Sequence, residues 1–199
     1  LTAQWYRSMN QSPAGELTAD AATRRVDRPS GFYARDGGLV VLRDGRSRTT
    51  MDVGPLGYLS IAAHGHADAL AVTLAVDGQD LISDPGTGSY YGHPEWRQSM
   101  RSTRAHATVC VDGQDQSINA GSFMWLGHAR TRVRRVDLVE GVVDAEHDGY
   151  TRLPGRPIHR RWLISPPDDN TQLVVDMVTG GGLHQVRTSW PLHPSLDVQ

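Results

Sequence analysis

Val76-Asp77-Gly78-Gln79-Asp80 recurs further along the chain as Val111-Asp112-Gly113-Gln114-Asp115. Asp-Gly set between alternating apolar residues specifies a two-residue turn with positive φ at both central positions. That turn matches the twist of an antiparallel hairpin. The rest of the chain agrees with it. Short apolar or alternating runs are separated by Gly, Pro, Asn and Asp. Strands are expected over Leu39–Arg43, Ser47–Val53, Tyr58–Ala63, Leu70–Val76, Asp80–Ser83 and His106–Val111. Further strands are expected over Arg130–Val136, Val142–His147, Ile158–Ile164, Leu173–Val178 and Gln185–Trp190. Strands at this spacing, with no helices between them, form a sandwich or a barrel.

Two segments interrupt the pattern. Gly86 to Ala105 is long for a connection, and such loops often carry function. Residues 1–30 lack strand periodicity and are expected to be an arm or linker, with Trp5–Met9 and Leu17–Arg25 as short helical pieces. Residues 31–199 hold the β domain. Pro166–Asn170 reads as a turn. The chain starts at Leu1 rather than Met, which leaves open that it is a fragment of a longer protein.

Charge narrows the function classes. The net charge of −2 gives no reason to expect nucleic acid or a membrane surface as partner. No apolar run approaches a membrane span. All 20 basic residues are arginine. Genomic base composition explains the bias, although their planar forks also suit carboxylates and sulfates. Cys110 lies in an apolar run and is expected to be a buried thiol; a single cysteine forms no internal disulfide.

The chemistry-bearing residues are concentrated. His64-Gly65-His66-Ala67-Asp68 is followed by Ser83-Asp84-Pro85-Gly86 and by Ala105-His106-Ala107-Thr108. Neutral imidazoles with a carboxylate suit zinc or a similar divalent ion. On a strand, His64, His66 and Asp68 would share one face. The alternative is a set of unrelated surface or turn residues. A cupin would place Glu four or five residues after the second His, where Leu70 and Ala71 stand. A metallo-β-lactamase-like site would place His at Ala69. His93, His128, His147, His159 and His184 have no partner at metal-like spacing and read as surface or turn residues. His193 is expected near the core, and Arg134-Arg135 on a solvated strand face.

A longer series of motifs is more specific. Gly57-Tyr58, His64-Gly65-His66-Ala67-Asp68-Ala69-Leu70, Val76-Asp77-Gly78, Asp84-Pro85-Gly86, Tyr90-Tyr91, Trp96-Arg97, Arg101-Ser102-Thr103-Arg104-Ala105-His106 and Val111-Asp112-Gly113 occur in this order. Together they resemble the C-terminal domain of the heparinase II/III-like family, over roughly Gly31 to Pro194. The resemblance implies an antiparallel β-sandwich that accompanies an N-terminal α/α toroid missing from this chain. It implies a polysaccharide lyase acting on an acidic, uronic-acid-containing polysaccharide such as heparin, heparan sulfate or alginate. It implies a periplasmic or secreted location.

Residue by residue, the resemblance makes His66, Asp84 and His106 zinc ligands and turns His64 toward the substrate cleft. Asp68 becomes a hydrogen-bonding neighbour of the ligands. Ala107 departs from the Asn that family members usually carry after the third ligand. β-Elimination needs a base for the proton α to the carboxylate, an acid for the leaving oxygen and charge stabilisation at the carboxylate. His64, with Tyr90 or Tyr91, is the candidate for proton transfer here. The family's principal Tyr and its Asn or His helpers belong to the toroid. Arg97, Arg101 and Arg104 are candidates for binding uronate or sulfate, with loop-fixing contacts as the alternative. Zinc would be mainly structural. A carbohydrate-binding accessory module stabilised by zinc, or a cupin-like metalloenzyme, are the competing readings.

Overall fold

The computed structural model describes residues 31–166 and 171–197. The expected arm at 1–30 and most of the turn at 166–170 lie outside the described residues. Thirteen strands are present among the described residues. They are β1 (Gly31–Ala34), β2 (Leu39–Asp44), β3 (Ser47–Asp52), β4 (Val72–Val76), β5 (Gln79–Ile82), β6 (Val109–Val111), β7 (Ile118–Asn119), β8 (Trp125–Gly127), β9 (Thr131–Asp137), β10 (Val142–His147), β11 (Ile158–Ile164), β12 (Leu173–Thr179) and β13 (Val186–Thr188). One sheet is a meander in the order β1-β2-β3-β4-β5, and the other runs β12-β11-β10-β9. All pairings in both are antiparallel. Two small ribbons, β13-β6 and β7-β8, complete the β structure.

The sheets face each other because period-2 alternation gives each an apolar side. Val40 and Leu42 of β2, Met51 of β3 and Val72 of β4 pack with Val143 and Ala145 of β10 and Leu163 of β11. This is a β-sandwich. Neither sheet closes on itself, which removes the cupin alternative. Each fully buried Leu, Val or Met contributes about 1.5–3 kcal/mol through removal from water.

The repeated Asp-Gly motif makes the same turn twice. Asp77 and Gly78 have φ of 51° and 83°, and Asp112 and Gly113 have 52° and 68°. The first turn continues into the β4-β5 ladder. The second ends after a single bridge, Val111 to Gln114. Its following residues are claimed elsewhere: Asp115 accepts from the Thr103 N–H at 2.8 Å, and the Gln116 N–H donates to Thr103 Oγ1 at 2.9 Å. β6 pairs with β13 instead.

Three expectations change. Tyr58–Ala63 is a coiled loop, not a strand. Leu59 and Ala62 have φ of 58° and 47°, which no strand accommodates. A Cβ at Gly65 would lie 1.9 Å from the Leu56 carbonyl oxygen, so this close approach requires glycine. The long segment after β5 carries a short helix, α1 (Pro94–Met100), and a 3₁₀ turn at Thr103–Ala105. His147 and His159 are fully buried rather than superficial. They lie in phase with the inward residues of β10 and β11. Cys110 is buried and unpaired in a disulfide, as expected.

The inner face of the second sheet thus turns polar at one end. The Gly149 N–H donates to His147 Nδ1 at 3.1 Å. That fixes the hydrogen on His147 Nε2, which donates to His159 Nδ1 at 3.1 Å. His159 Nε2 then donates to Asp176 Oδ1 at 2.7 Å. Both rings are neutral, and burial holds both below the usual histidine range, His147 far below it.

Two predictions follow from this core. Leu42→Ala, at 1% exposure, should cost about 2–5 kcal/mol in chemical denaturation. The ring carbon resonances of His147 and His159 should stay flat as pH passes the ordinary midpoint of about 6.5. The sign follows from linkage: the unfolded chain takes up protons there that the folded rings refuse. The stability gained from neutral burial is therefore complete above that pH and lost as pH falls below it. A full titration step near 6.5 at either ring would contradict the relay.

Candidate metal centre and cleft

The chemistry-bearing residues come from three separate segments. The His64–Asp68 loop joins β3 to β4. Asp84 follows β5, and His106 follows the 3₁₀ turn. His64, His66 and Asp68 do not share the face of a strand, because the segment is irregular. His66, Asp68, Asp84 and His106 nevertheless converge, each offering one ligand atom within 4.8 Å of the others.

Local hydrogen bonds aim these atoms. His106 Nδ1 lies 2.8 Å from the Ser102 carbonyl oxygen. A carbonyl only accepts, so Nδ1 carries a hydrogen and Nε2 is the ring nitrogen turned toward the cluster. Asp84 Oδ1 accepts from the Gly86 N–H at 2.7 Å in the Asp-Pro-Gly turn, leaving Oδ2 3.3 Å from His106 Nε2. His66 Nδ1 is 3.2 Å from His106 Nε2, and Asp68 Oδ2 is 3.9 Å from it. A tetrahedral ion with the usual zinc bond lengths sets its ligand atoms roughly 3.3 Å apart. The spacing and the donor types fit such an ion.

The electrostatics point the same way. Burial, with the neighbouring His106, pushes His66 down to about 4, so it is a neutral imidazole near neutrality. Burial opposes charge on His106, but the hydrogen bond to Asp84 and the adjacent carboxylates outweigh it and raise that ring. Burial alone would raise Asp84; its contacts with His106 and the Gly86 N–H bring it below the usual range. Asp68 is pushed up to about 7 and Asp52 to about 6, in both cases chiefly by burial. Crowded carboxyl groups held this high mark a place where a cation would be stabilised.

Three members of the cluster, His66, Asp68 and Asp84, line a cleft of about 460 Å³, and His106 is buried behind them. Asp52, Tyr58, Leu59, Ile61, His64, His66, Asp68 and Asp84 are among the walls of the cleft. Residues 26–199 match a family model described as heparinase II/III-like, C-terminal. The chain belongs to the heparinase II/III-like family. Its fold is similar to that of heparan sulfate lyase HepC from Pedobacter heparinus, with a TM-score of 0.66 at 18% identity, over 96% of this chain and 29% of that one. It is similar to a structure of heparinase III, with a TM-score of 0.65 at 19% identity, over 83% of this chain and 25% of that one. The family domain thus spans under a third of these solved chains. No curated protein matches the sequence significantly.

Of the proton-transfer candidates, His64 is exposed at the cleft, and its Nδ1 lies 3.4 Å from the Tyr90 hydroxyl. Tyr90 rests on Phe123 and on the Arg97 guanidinium, 4.6 Å from its ring centroid. Tyr91 is largely exposed and touches Phe123.

The arginine expectations divide. Arg97 and Arg101 are each 1% exposed, which does not suit direct substrate contact. Arg97 donates to the carbonyls of Ser122 and Ala63, and Arg101 to those of Gly65, Gly121 and Ser122. These carbonyls belong to irregular segments with no ladder partner, so guanidinium donors satisfy them. The loop-fixing alternative accounts for both residues. Arg104 is exposed. Asp52 in the cleft was not anticipated; Asp68, expected as a hydrogen-bonding neighbour of the ligands, also offers a ligand atom to the cluster. Asp68 had a signal, the i+2 spacing after His66; Asp52 had none.

Arg101→Met should lower stability by about 1–3 kcal/mol for each buried carbonyl left without a donor. Arg104→Met should leave the thermal midpoint unchanged. Equal midpoints for the two variants would overturn the loop-fixing role.

Proposed function

We propose that this chain is the β-sandwich domain of a polysaccharide lyase that cleaves a uronic-acid-containing polysaccharide by β-elimination. The observation that carries the reading is the pairing of His64, on the wall of the cleft, with the Tyr90 hydroxyl, close to the His66–Asp84–His106 cluster, of which His66 and Asp84 line the same cleft. Membership of a family whose solved relatives include a heparan sulfate lyase supports the substrate class.

In this reading His66, Asp84 and His106 hold zinc, with Asp68 beside them. Zinc when bound supplies positive charge that ties three chain segments together. His64 and Tyr90 work on the substrate side. Elimination removes the proton α to the uronate carboxylate; its electron pair becomes the new carbon–carbon double bond, and the bond to the 4-linked oxygen breaks. The paired imidazole and phenol suit proton transfer in one of these two steps. Arg97 stacks under Tyr90 and orients it. Of the three candidate arginines, the exposed Arg104 is the one left for an acidic sugar, and Tyr91 is an exposed aromatic beside Phe123. The remaining acid, base and carboxylate contacts come from an N-terminal α/α toroid, so this domain forms part of the active-site wall. The burial of Arg97 and Arg101 also favours a second reading, an accessory module whose zinc only stabilises it.

In the full-length protein, His64→Ala should lower formation of unsaturated product by about 10²–10⁴-fold. Metal content and thermal midpoint should stay near wild type. His66→Ala should lose metal and stability together. The isolated 199-residue chain should show little or no cleavage of uronate polymers. Full turnover in His64→Ala, or ordinary turnover by the isolated chain, would exclude the division of labour. Elemental analysis showing no stoichiometric metal would exclude the zinc centre.

A further inference from the structure

We propose that Arg161, inside the sandwich, is a positioning residue for the metal centre. Arg161 is on β11 and fully buried. Its Nη1 donates to two main-chain carbonyls, Leu70 at 2.8 Å and Ala107 at 2.5 Å. Leu70 lies two residues beyond Asp68, and Ala107 lies one beyond His106. One guanidinium nitrogen thus bridges the two loops whose imidazoles meet 3.2 Å apart at the cluster.

The guanidinium is aimed from behind. Its Nε and Nη2 donate to both oxygens of Asp176, at 2.7 and 2.9 Å. Asp176 also accepts from His159, which His147 fixes in turn. The fork geometry leaves the Nη1 hydrogens pointing away from the carboxylate. Burying an ion pair costs several kcal/mol in desolvation, and a well-packed apolar residue would hold the sheets together as well or better. Leu163, two residues along on the same face, does that. What an apolar side chain lacks is a donor for two carbonyls on different loops. Polar residues behind metal ligands typically tune affinity by 10–100-fold.

The proposal rests on the metal reading given above, and the experiment separates the two. Full-length wild type, Arg161→Lys, Asp176→Asn and Leu42→Ala are stripped of metal. Zinc affinity is then measured by competition with a chromophoric chelator, and the visible spectrum is recorded after loading with Co²⁺. Lysine keeps the charge but not the fork. Arg161→Lys should bind zinc about 10–100-fold more weakly, with an altered cobalt spectrum. Asp176→Asn, which keeps the donor but loosens its aim, should shift in the same direction. Leu42, opposite Thr49 in the β2-β3 ladder, belongs neither to the cluster nor to the cleft lining. Leu42→Ala should lose stability while keeping wild-type affinity and spectrum. If Arg161→Lys fails to fold, Asp176→Asn decides. Wild-type zinc affinity and cobalt spectrum in the folded Arg161 or Asp176 variant overturn the positioning role alone. The same loss of affinity in Leu42→Ala also overturns it, because general destabilisation then suffices. Wild type that takes up no zinc overturns both the metal reading and this one.

Discussion

Buried guanidinium groups donating to main-chain carbonyls hold the functional end of this domain together. The site is made of loops, and loops carry backbone groups without ladder partners. Arg97 reaches Ala63, Arg101 reaches Gly65, and Arg161 reaches Leu70 and Ala107. These carbonyls flank His64, His66, Asp68 and His106. Trp125 adds a neutral donor, its Nε1 giving a hydrogen to Gly65 at 3.1 Å. The cost is backbone strain at Leu59, Ala62 and Leu70, all with positive φ. Left-handed geometry at such residues costs about 1–2 kcal/mol each. Charged hydrogen bonds inside the protein are of the size needed to offset it, about 1.5–3 kcal/mol each.

This explains which parts were legible in the sequence. The sandwich was, because alternation and Asp-Gly turns are local signals. β2 to β5 and β9 to β12 fall close to their expected spans for that reason. The loop from Tyr58 to Ala63 was misread because its apolar residues mimic a strand, while its path is set by the Gly65–Leu56 approach and by donors far along the chain. The second Asp-Gly turn formed, but its ladder lost to Thr103, a tertiary competitor.

The site shows the same division. Composition and spacing suggested metal-ligating chemistry, but the particular ligand set came from the family resemblance. The expectation of a shared strand face was wrong, although the cluster forms. Arg97 and Arg101 stood between anion binding and loop fixing because a sequence shows charge and not burial. His147, His159 and Arg161 carried a readable signal. They continue, at two-residue steps, the inward series of Val143 and Ala145 and of Leu163. The alternation that identifies β10 and β11 as half-buried therefore also buries these polar residues, and a buried His or Arg at such a position must find partners within the core.

The domain thus has two ends with different physics. Its apolar end is held by area removed from water and tolerates repacking of similar volume. Its polar end depends on directional contacts that fail as a set. Asp52, Asp68 and Asp84 crowd a partly buried space in which burial, with the neighbouring carboxylates, raises Asp52 and Asp68. A cation there would relieve their repulsion, and would bind only when three distant segments are already in place. On the proposed metal reading, metal affinity and the order of the loops would be one quantity seen from two sides, with saturation adding stability as RT ln(1 + [metal]/Kd). The arginines that hold the loop carbonyls would then set how much of that order exists beforehand, and so how much of the binding free energy is spent on arranging the site.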